Sequence, residues 1–190
     1  TSSSPQASIR FFEQLSAESP SNENKYAYLM ALQARGNSEK ALILVDELLT
    51  KYPKNLILNI TKAEIYLLGQ RLEKAKVQIE KVLKISPGNY PASIIKSNIL
   101  SAQNKTIQAE EIVRELLITK NNDPHLWMLL SEIQRSGKNI LGYHLSRGEY
   151  YLLLGDLENA LNQFQFALRI SGSSFQTSET IMTKIKYAQD

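Results

Sequence analysis

Apolar positions at helical spacing run through residues 22–55 in two blocks, NENKYAYLMALQARGN and SEKALILVDELLTKYPKN. They run again through residues 56–89, as LILNITKAEIYLLGQ and RLEKAKVQIEKVLKISPGN. Each stretch predicts two amphipathic helices, because the apolar residues recur every three to four positions and fall on one face. Gly36 and Gln70 occupy the predicted turns inside each pair. Pro53 and Pro87 stop the second helices, since proline cannot donate to the preceding turn, and Gly88–Asn89 suits the turn that follows. Two flanks read as single helices. Residues 6–18 place Ile9, Leu15 and either Phe11 or Phe12 on one side, ending at Ser19–Pro20. Residues 175–188 follow an SGSS linker and place Ile181, Ile185 and either Phe175 or Met182 inward.

The blocks are in register. Ala41, Ala75 and Ala109 stand 34 residues apart, as do Pro53 and Pro87, with Asn121 in the third equivalent place. Ala63 and Ser97 supply small residues where a first helix packs on a second, and Tyr66 and Leu100 follow three positions later. This 34-residue helix–turn–helix pattern resembles the tetratricopeptide repeat. The expected fold class is all-α: a tetratricopeptide-repeat helical solenoid of about four helix pairs with flanking helices that cap its apolar ends. The expected organisation is a disordered tail over 1–5, a flanking helix over 6–20, an array over 22–172 and a capping helix over 173–190, as one structural domain.

A phase break is expected near residues 124–140. Trp127, Leu130 and Ser131 open a fourth first helix, but the next good match, Gly148, Tyr151, Gly155, Ala160, Phe164 and Ala167, is displaced by half a period. The reading is a helix over 124–136, a longer one over 138–154 and a third over 157–170, with one helix supernumerary or missing its partner and the stack bent there.

Composition supports helices, with only 8 glycines and 6 prolines in 190 residues. With 22 Lys+Arg against 19 Asp+Glu, the net charge of +3 is too small for a dedicated nucleic-acid binder. The basic excess falls in residues 71–120, with 9 basic against 5 acidic. Cysteine is absent, which excludes disulfides, thiolate metal sites and thiol catalysis. No run of about 18 apolar residues predicts a membrane span. The opening TSSSPQ reads as a processed terminus or an excised fragment.

Catalytic chemistry is not expected. His125 and His144 lie 19 residues apart without an HExxH pattern, and read as surface or interhelix histidines. No GxSxG elbow or glycine-rich phosphate loop is present, and Glu110–Glu111 with Arg114 reads as helical ion pairing. No catalytic residue, cofactor or metal is assigned. Binding is expected on the first helices instead, at positions two, five, nine and twelve of each repeat. These are Glu23, Tyr26, Met30 and Gln33; Ile57, Ile60, Glu64 and Leu67; Pro91, Ile94, Asn98 and Ser101; and His125, Met128, Glu132 and Arg135.

Within that set Tyr26, Met30, Gln33, Ile60, Glu64, Asn98, Met128, Glu132 and Arg135 form the candidate protein-binding groove. The plain alternative for the aliphatic residues is packing on a neighbouring helix, and for Glu64, Glu132 and Arg135 a solvated face. Trp127, Tyr66, Tyr150, Tyr151 and Phe164 are assigned mainly to packing. Tyr26, Met30, Ile60 and Glu64 stand where chaperone-binding tetratricopeptide proteins carry basic and amide residues, so a carboxylate clamp is not expected in this groove.

The last third is more particular. HLSRGEYYLLLGDLENALNQFQFALRI (144–170), NNDPHLWMLLSE, YPKN and ISPGNYPA resemble the C-terminal domain of BepA-type periplasmic zinc metalloproteases. That resemblance implies a non-catalytic scaffold beside a zinc peptidase domain that lies outside this sequence. It also implies a periplasmic location. The implied partners are proteins or extended peptide segments: unassembled outer-membrane β-barrel proteins and the barrel assembly machinery, with no nucleic acid. A free-standing adaptor of lipoprotein or pilus-assembly type, with no attached enzyme, is the alternative.

Overall fold

The computed structural model describes residues 5–172 and 175–189, with side chains from Ile9 onward. Eleven helices and no strand occur among the described residues: α1 Pro5–Glu18, α2 Asn22–Ala34, α3 Ser38–Lys51, α4 Leu56–Leu68, α5 Leu72–Ile85, α6 Tyr90–Ala102, α7 Thr106–Thr119, α8 Pro124–Ser136, α9 Ile140–Leu153, α10 Leu157–Ile170 and α11 Phe175–Gln189. Most of the expected tail lies outside the described residues, and Pro5 already belongs to α1. Residues 173–174 of the SGSS linker lie outside them as well.

Two kinds of turn alternate along the first seven connections of the array, and each is written in the sequence. The first helices α2, α4, α6 and α8 open on Ser21, Asn55, Asn89 and Asp123, whose side-chain oxygens accept an early helical N–H. They close with a residue in the left-handed region: Gly36 (φ 69°), Gln70 (57°), Asn104 (59°) and Lys138 (60°). The next N–H, of Asn37, Arg71, Lys105 and Asn139, then reaches back five residues to the carbonyls of Leu32, Tyr66, Leu100 and Gln134 at 2.8–3.0 Å. The second helices α3, α5 and α7 end differently, on Tyr52, Ser86 and Lys120, whose φ of −127°, −137° and −132° is not left-handed.

The phase break appears at α9 as a change of turn. Gly155 (φ 74°) closes α9, and the Asp156 N–H reaches the Tyr151 carbonyl at 3.0 Å, the closure used by first helices. Two such turns therefore stand in succession, before and after α9. Helix spacing itself does not slip there: α3, α5, α7 and α9 begin at 38, 72, 106 and 140. By its turns α9 is a first helix that directly follows another, so α8 has no second helix of its own before it. The expected long helix over 138–154 is corrected: α9 covers Ile140–Leu153, because Lys138 and Asn139 are spent on the turn and the cap.

The packing follows the repeat. Ala41, Val45 and Leu48 of α3 are buried, and Ala75, Ile79 and Val82 of α5, Ala109, Val113 and Leu117 of α7, and Ala160, Phe164 and Ala167 of α10 follow suit. Ala63, Ser97 and Ser131 have no exposed surface, as first-helix contact positions require. Burying each large aliphatic side chain of this set contributes about 1.5–3 kcal/mol. The helices group into two compact units, up to Ile99 and from Leu100, where the sequence predicts one domain.

Both flanking helices cover apolar surface within their own unit. Ile9 and Phe12 of α1 pack against the core cluster that includes Tyr28, Leu29 and Leu32, whereas Phe11 is 60% exposed. In α11, Ile181 and Ala188 are buried and Ile185 packs on the Phe164 cluster. Neither Phe175 nor Met182 turns inward, which corrects that alternative. Positions 181, 185 and 188 share a helical stripe, and positions 175 and 182 fall off it.

Candidate functional site

In the first unit the groove positions of α2 and α4 meet. Gln33 at position twelve donates through Nε2 to Glu64 Oε2, position nine of the next repeat, at 2.8 Å. The other amide atom, Gln33 Oε1, is buried with no hydrogen-bond partner. An unpaired buried acceptor carries a desolvation penalty that a donor from a ligand or water would relieve. Met30 lies one turn before it and is 42% exposed.

Tyr26, half-buried, lines a recess of about 340 Å³ with Glu23, Ile57, Leu48, Leu58 and Tyr52. The Tyr52 hydroxyl at its edge accepts from Asn22 Nδ2 at 2.9 Å. Glu23 is exposed, and its own backbone N–H and the Ser21 hydroxyl hold its carboxyl below the usual range, so it stays ionised. Asn98 sits half-buried on α6. Ile60 is corrected: it belongs to the core with Ala63, Ile79 and Ile95, so the packing alternative holds for it.

In the second unit the groove positions of α8 are more engaged. The Met128 sulfur is approached by Arg147 Nη1 of α9 at 3.1 Å. Glu132 and Arg135 form an ion pair with each other along one face of α8, as a solvated face would. His125 is exposed, and His144 is held by Gln163 at 2.8 Å and stacked on Phe166. Among the described residues no three His, Cys, Asp or Glu side chains gather at metal-binding distance. No described helix is long and apolar enough to cross a membrane. Trp127 donates its indole N–H to the Asn121 carbonyl at 2.6 Å, and Phe164 is wholly buried.

Sequence reasoning missed a buried polar chain in this unit. Ser146 of α9 donates to Gln134 Oε1 at 2.7 Å, and Gln134 Nε2 donates to Glu110 of α7 at 3.1 Å. Glu110 also accepts from Arg114 Nε and Nη2 at 2.9 and 2.7 Å. A signal was present: position eleven holds Leu32, Tyr66 and Leu100 in the preceding repeats, and a glutamine in the fourth.

Comparison with known proteins agrees with the fold. Residues 70–133 match the family model of the tetratricopeptide repeat. A segment of 104 residues is 28% identical to sperm-associated antigen 1 of Rattus norvegicus, over 55% of this chain but only 12% of that protein's length. A tetratricopeptide-repeat protein from Parabacteroides merdae superposes with a TM-score of 0.64 at 16% identity, covering 98% of this chain and 78% of its own. The MamA structure from Desulfovibrio magneticus superposes with a TM-score of 0.63 at 14% identity, covering 88% and 93%. The fold is that of a tetratricopeptide-repeat solenoid, and residues 70–133 carry its repeat.

Proposed function

We propose that this chain is a non-catalytic scaffold that binds an extended segment of a partner protein along the first helices of its repeats. The observation that carries the reading is the Gln33–Glu64 bond, which brings two groove positions of successive repeats into one polar patch beside the exposed Met30. An adaptable thioether, an aromatic recess at Tyr26 and an unpaired buried carbonyl oxygen together suit a peptide with apolar side chains and free backbone N–H groups.

The finer reading places the scaffold beside a periplasmic zinc metalloprotease, where it presents stalled outer-membrane β-barrel proteins or contacts the barrel assembly machinery. It rests on the resemblance carried by residues 144–170 and the YPKN, ISPGNYPA and NNDPHLWMLLSE segments. An unfinished barrel exposes unpaired strand edges and alternating apolar side chains, which such a groove could hold. The test is the native mass and zinc content of the endogenous protein captured from periplasmic extract. A product clearly heavier than 21.5 kDa with about one zinc, the content of one catalytic site, supports the protease reading. A metal-free product near 21.5 kDa contradicts it and leaves a free-standing adaptor.

A further inference from the structure

The groove of the first unit is acidic although the unit that carries it is basic. Residues 1–99 hold 13 basic and 9 acidic side chains. Of the groove positions up to Asn98, Glu23 and Glu64 are the charged ones, and both are acids. The lysines nearest in sequence are engaged away from them: Lys25 pairs with Glu47 and Lys62 with Asp46. Among the described residues neither groove acid takes part in an ion pair.

Glu64 is half-buried on α4 and accepts one hydrogen bond, from the neutral Gln33 amide at 2.8 Å. A carboxylate offers about four lone-pair sites, so most of its accepting capacity is unused. Gln33 Oε1, on the same amide, is a further acceptor without a partner. Unused oxygens beside an uncompensated negative charge match a cationic donor, and lysine and arginine bring several N–H groups each. A neutral backbone N–H would fill one acceptor and leave the charge standing. An apolar place lies at a fixed distance from this pair. Tyr26 and Ile57 line the recess of about 340 Å³, and Gln33 and Glu64 follow them by seven residues on α2 and α4. Seven residues rise about 10 Å along either helix. The exposed Met30 lies between the two places.

We propose that this groove selects a basic partner segment, with a lysine or arginine seated at Glu64 and Gln33 and a large apolar side chain in the Tyr26 recess. An extended chain covers the 10 Å between these places in about three residues, which sets the spacing of the two side chains. This selection rests on the groove reading proposed above and adds the sign of the guest's charge. That sign is opposite to the one a carboxylate clamp holds.

Calorimetric titration of the full chain with short peptides tests it. The peptides are acetylated and amidated, so that no end charge contributes, and carry lysine, norleucine or glutamate three residues beyond a leucine. The lysine peptide should bind about tenfold more tightly than the norleucine one, the equivalent of one charge-assisted hydrogen bond, and the glutamate peptide more weakly than either. Glu64→Gln, which keeps an acceptor for Gln33, should remove the lysine preference, and Glu64→Lys should reverse it in favour of glutamate, with helix content unchanged. Glu39→Gln, at an exposed acid of α3 outside the groove, should leave the preference as it is. The ratio measured on the parent chain decides the point even where a variant fails to fold. Equal binding of the three peptides, lost in Tyr26→Glu, overturns the charge selection and leaves the groove reading standing. A lysine preference that survives in Glu64→Gln seats the cation elsewhere and overturns the selection as well. Binding of none of the peptides overturns it and counts against the groove reading too.

Discussion

A Cβ placed on Gly148 would overlap the buried ring of Phe164. The glycine thus fixes how closely α9 approaches α10. Gly142, six residues earlier on α9, does the same toward α8, where an added Cβ would lie 2.7 Å from the Gln134 amide nitrogen. One helix is in this way the close partner of two neighbours, which is the physical content of the phase break.

Gly148→Ala is expected to lower stability by about 1–3 kcal/mol, the usual cost of overpacking a filled core. Adding Phe164→Leu should recover part of that loss, since the smaller side chain vacates the clashing space. Chemical denaturation of both variants measures this. A double variant no more stable than Gly148→Ala would show that the ring is not what excludes the methyl group.

The Ser146–Gln134 bond can be weighed by a double-mutant cycle. Gln134→Leu alone leaves the buried Ser146 hydroxyl without its partner, and a loss of about 1–3 kcal/mol is expected. Ser146→Ala added to it should restore much of that loss, because both buried polar groups are then gone. Purely additive losses would mean that the two side chains do not share their stabilisation.

Acid should loosen α1 first. Glu13 accepts hydrogen bonds from the Tyr28 hydroxyl at 2.8 Å and from Lys40 at 3.1 Å, and these, Tyr28 first, hold its carboxyl below its ordinary 4.5. A carboxyl lowered on folding stabilises above its unfolded value and loses that contribution as pH falls through the folded one. Burial, with Glu13 beside it, raises Tyr28, and Glu13 raises Lys40, so the same cluster weakens again only at strongly alkaline pH. The melting-temperature gap between wild type and Glu13→Gln should therefore be open at pH 7 and narrow as pH falls below 4.5. A gap that does not narrow in acid would count against this cluster.

The left-handed turn residues give a smaller effect. Lys138 holds a φ of 60° that costs a side-chain-bearing residue about 1 kcal/mol. Lys138→Gly should raise stability by about 0.5 kcal/mol once the added chain entropy is subtracted. A loss in thermal unfolding would show that the lysine side chain contributes more than its backbone costs.

Helix order, turn positions and most core residues were legible because a period of 34 repeats both residue type and spacing. Pro53 and Pro87 marked second-helix ends, and Gly36 and Gln70 marked the turns inside each pair, where the structure gives both a positive φ. The phase break was legible in residue type, through Gly148 and Ala160, while the extra length expected for α9 was not real. The groove was harder to read. Position numbers predict which face a residue occupies, not how deeply, so Ile60 was assigned outward and is buried. Likewise Met128 was read as a free contact residue, although Arg147, a residue that carries no repeat signature, approaches its sulfur. The polar chain from Ser146 to Arg114 joins three helices, and no local pattern announces such a network.

The central claim is that partners bind along the first-helix face at α2 and α4. A photocrosslinking amino acid in place of Met30, compared with one in place of Ile43, which is 70% exposed on α3, tests it in cells that express the chain. The account predicts discrete, Tyr26→Glu-sensitive adducts from position 30 and few from position 43, with helix content unchanged. Equal adducts from both positions, or adducts from position 43 alone, would contradict it.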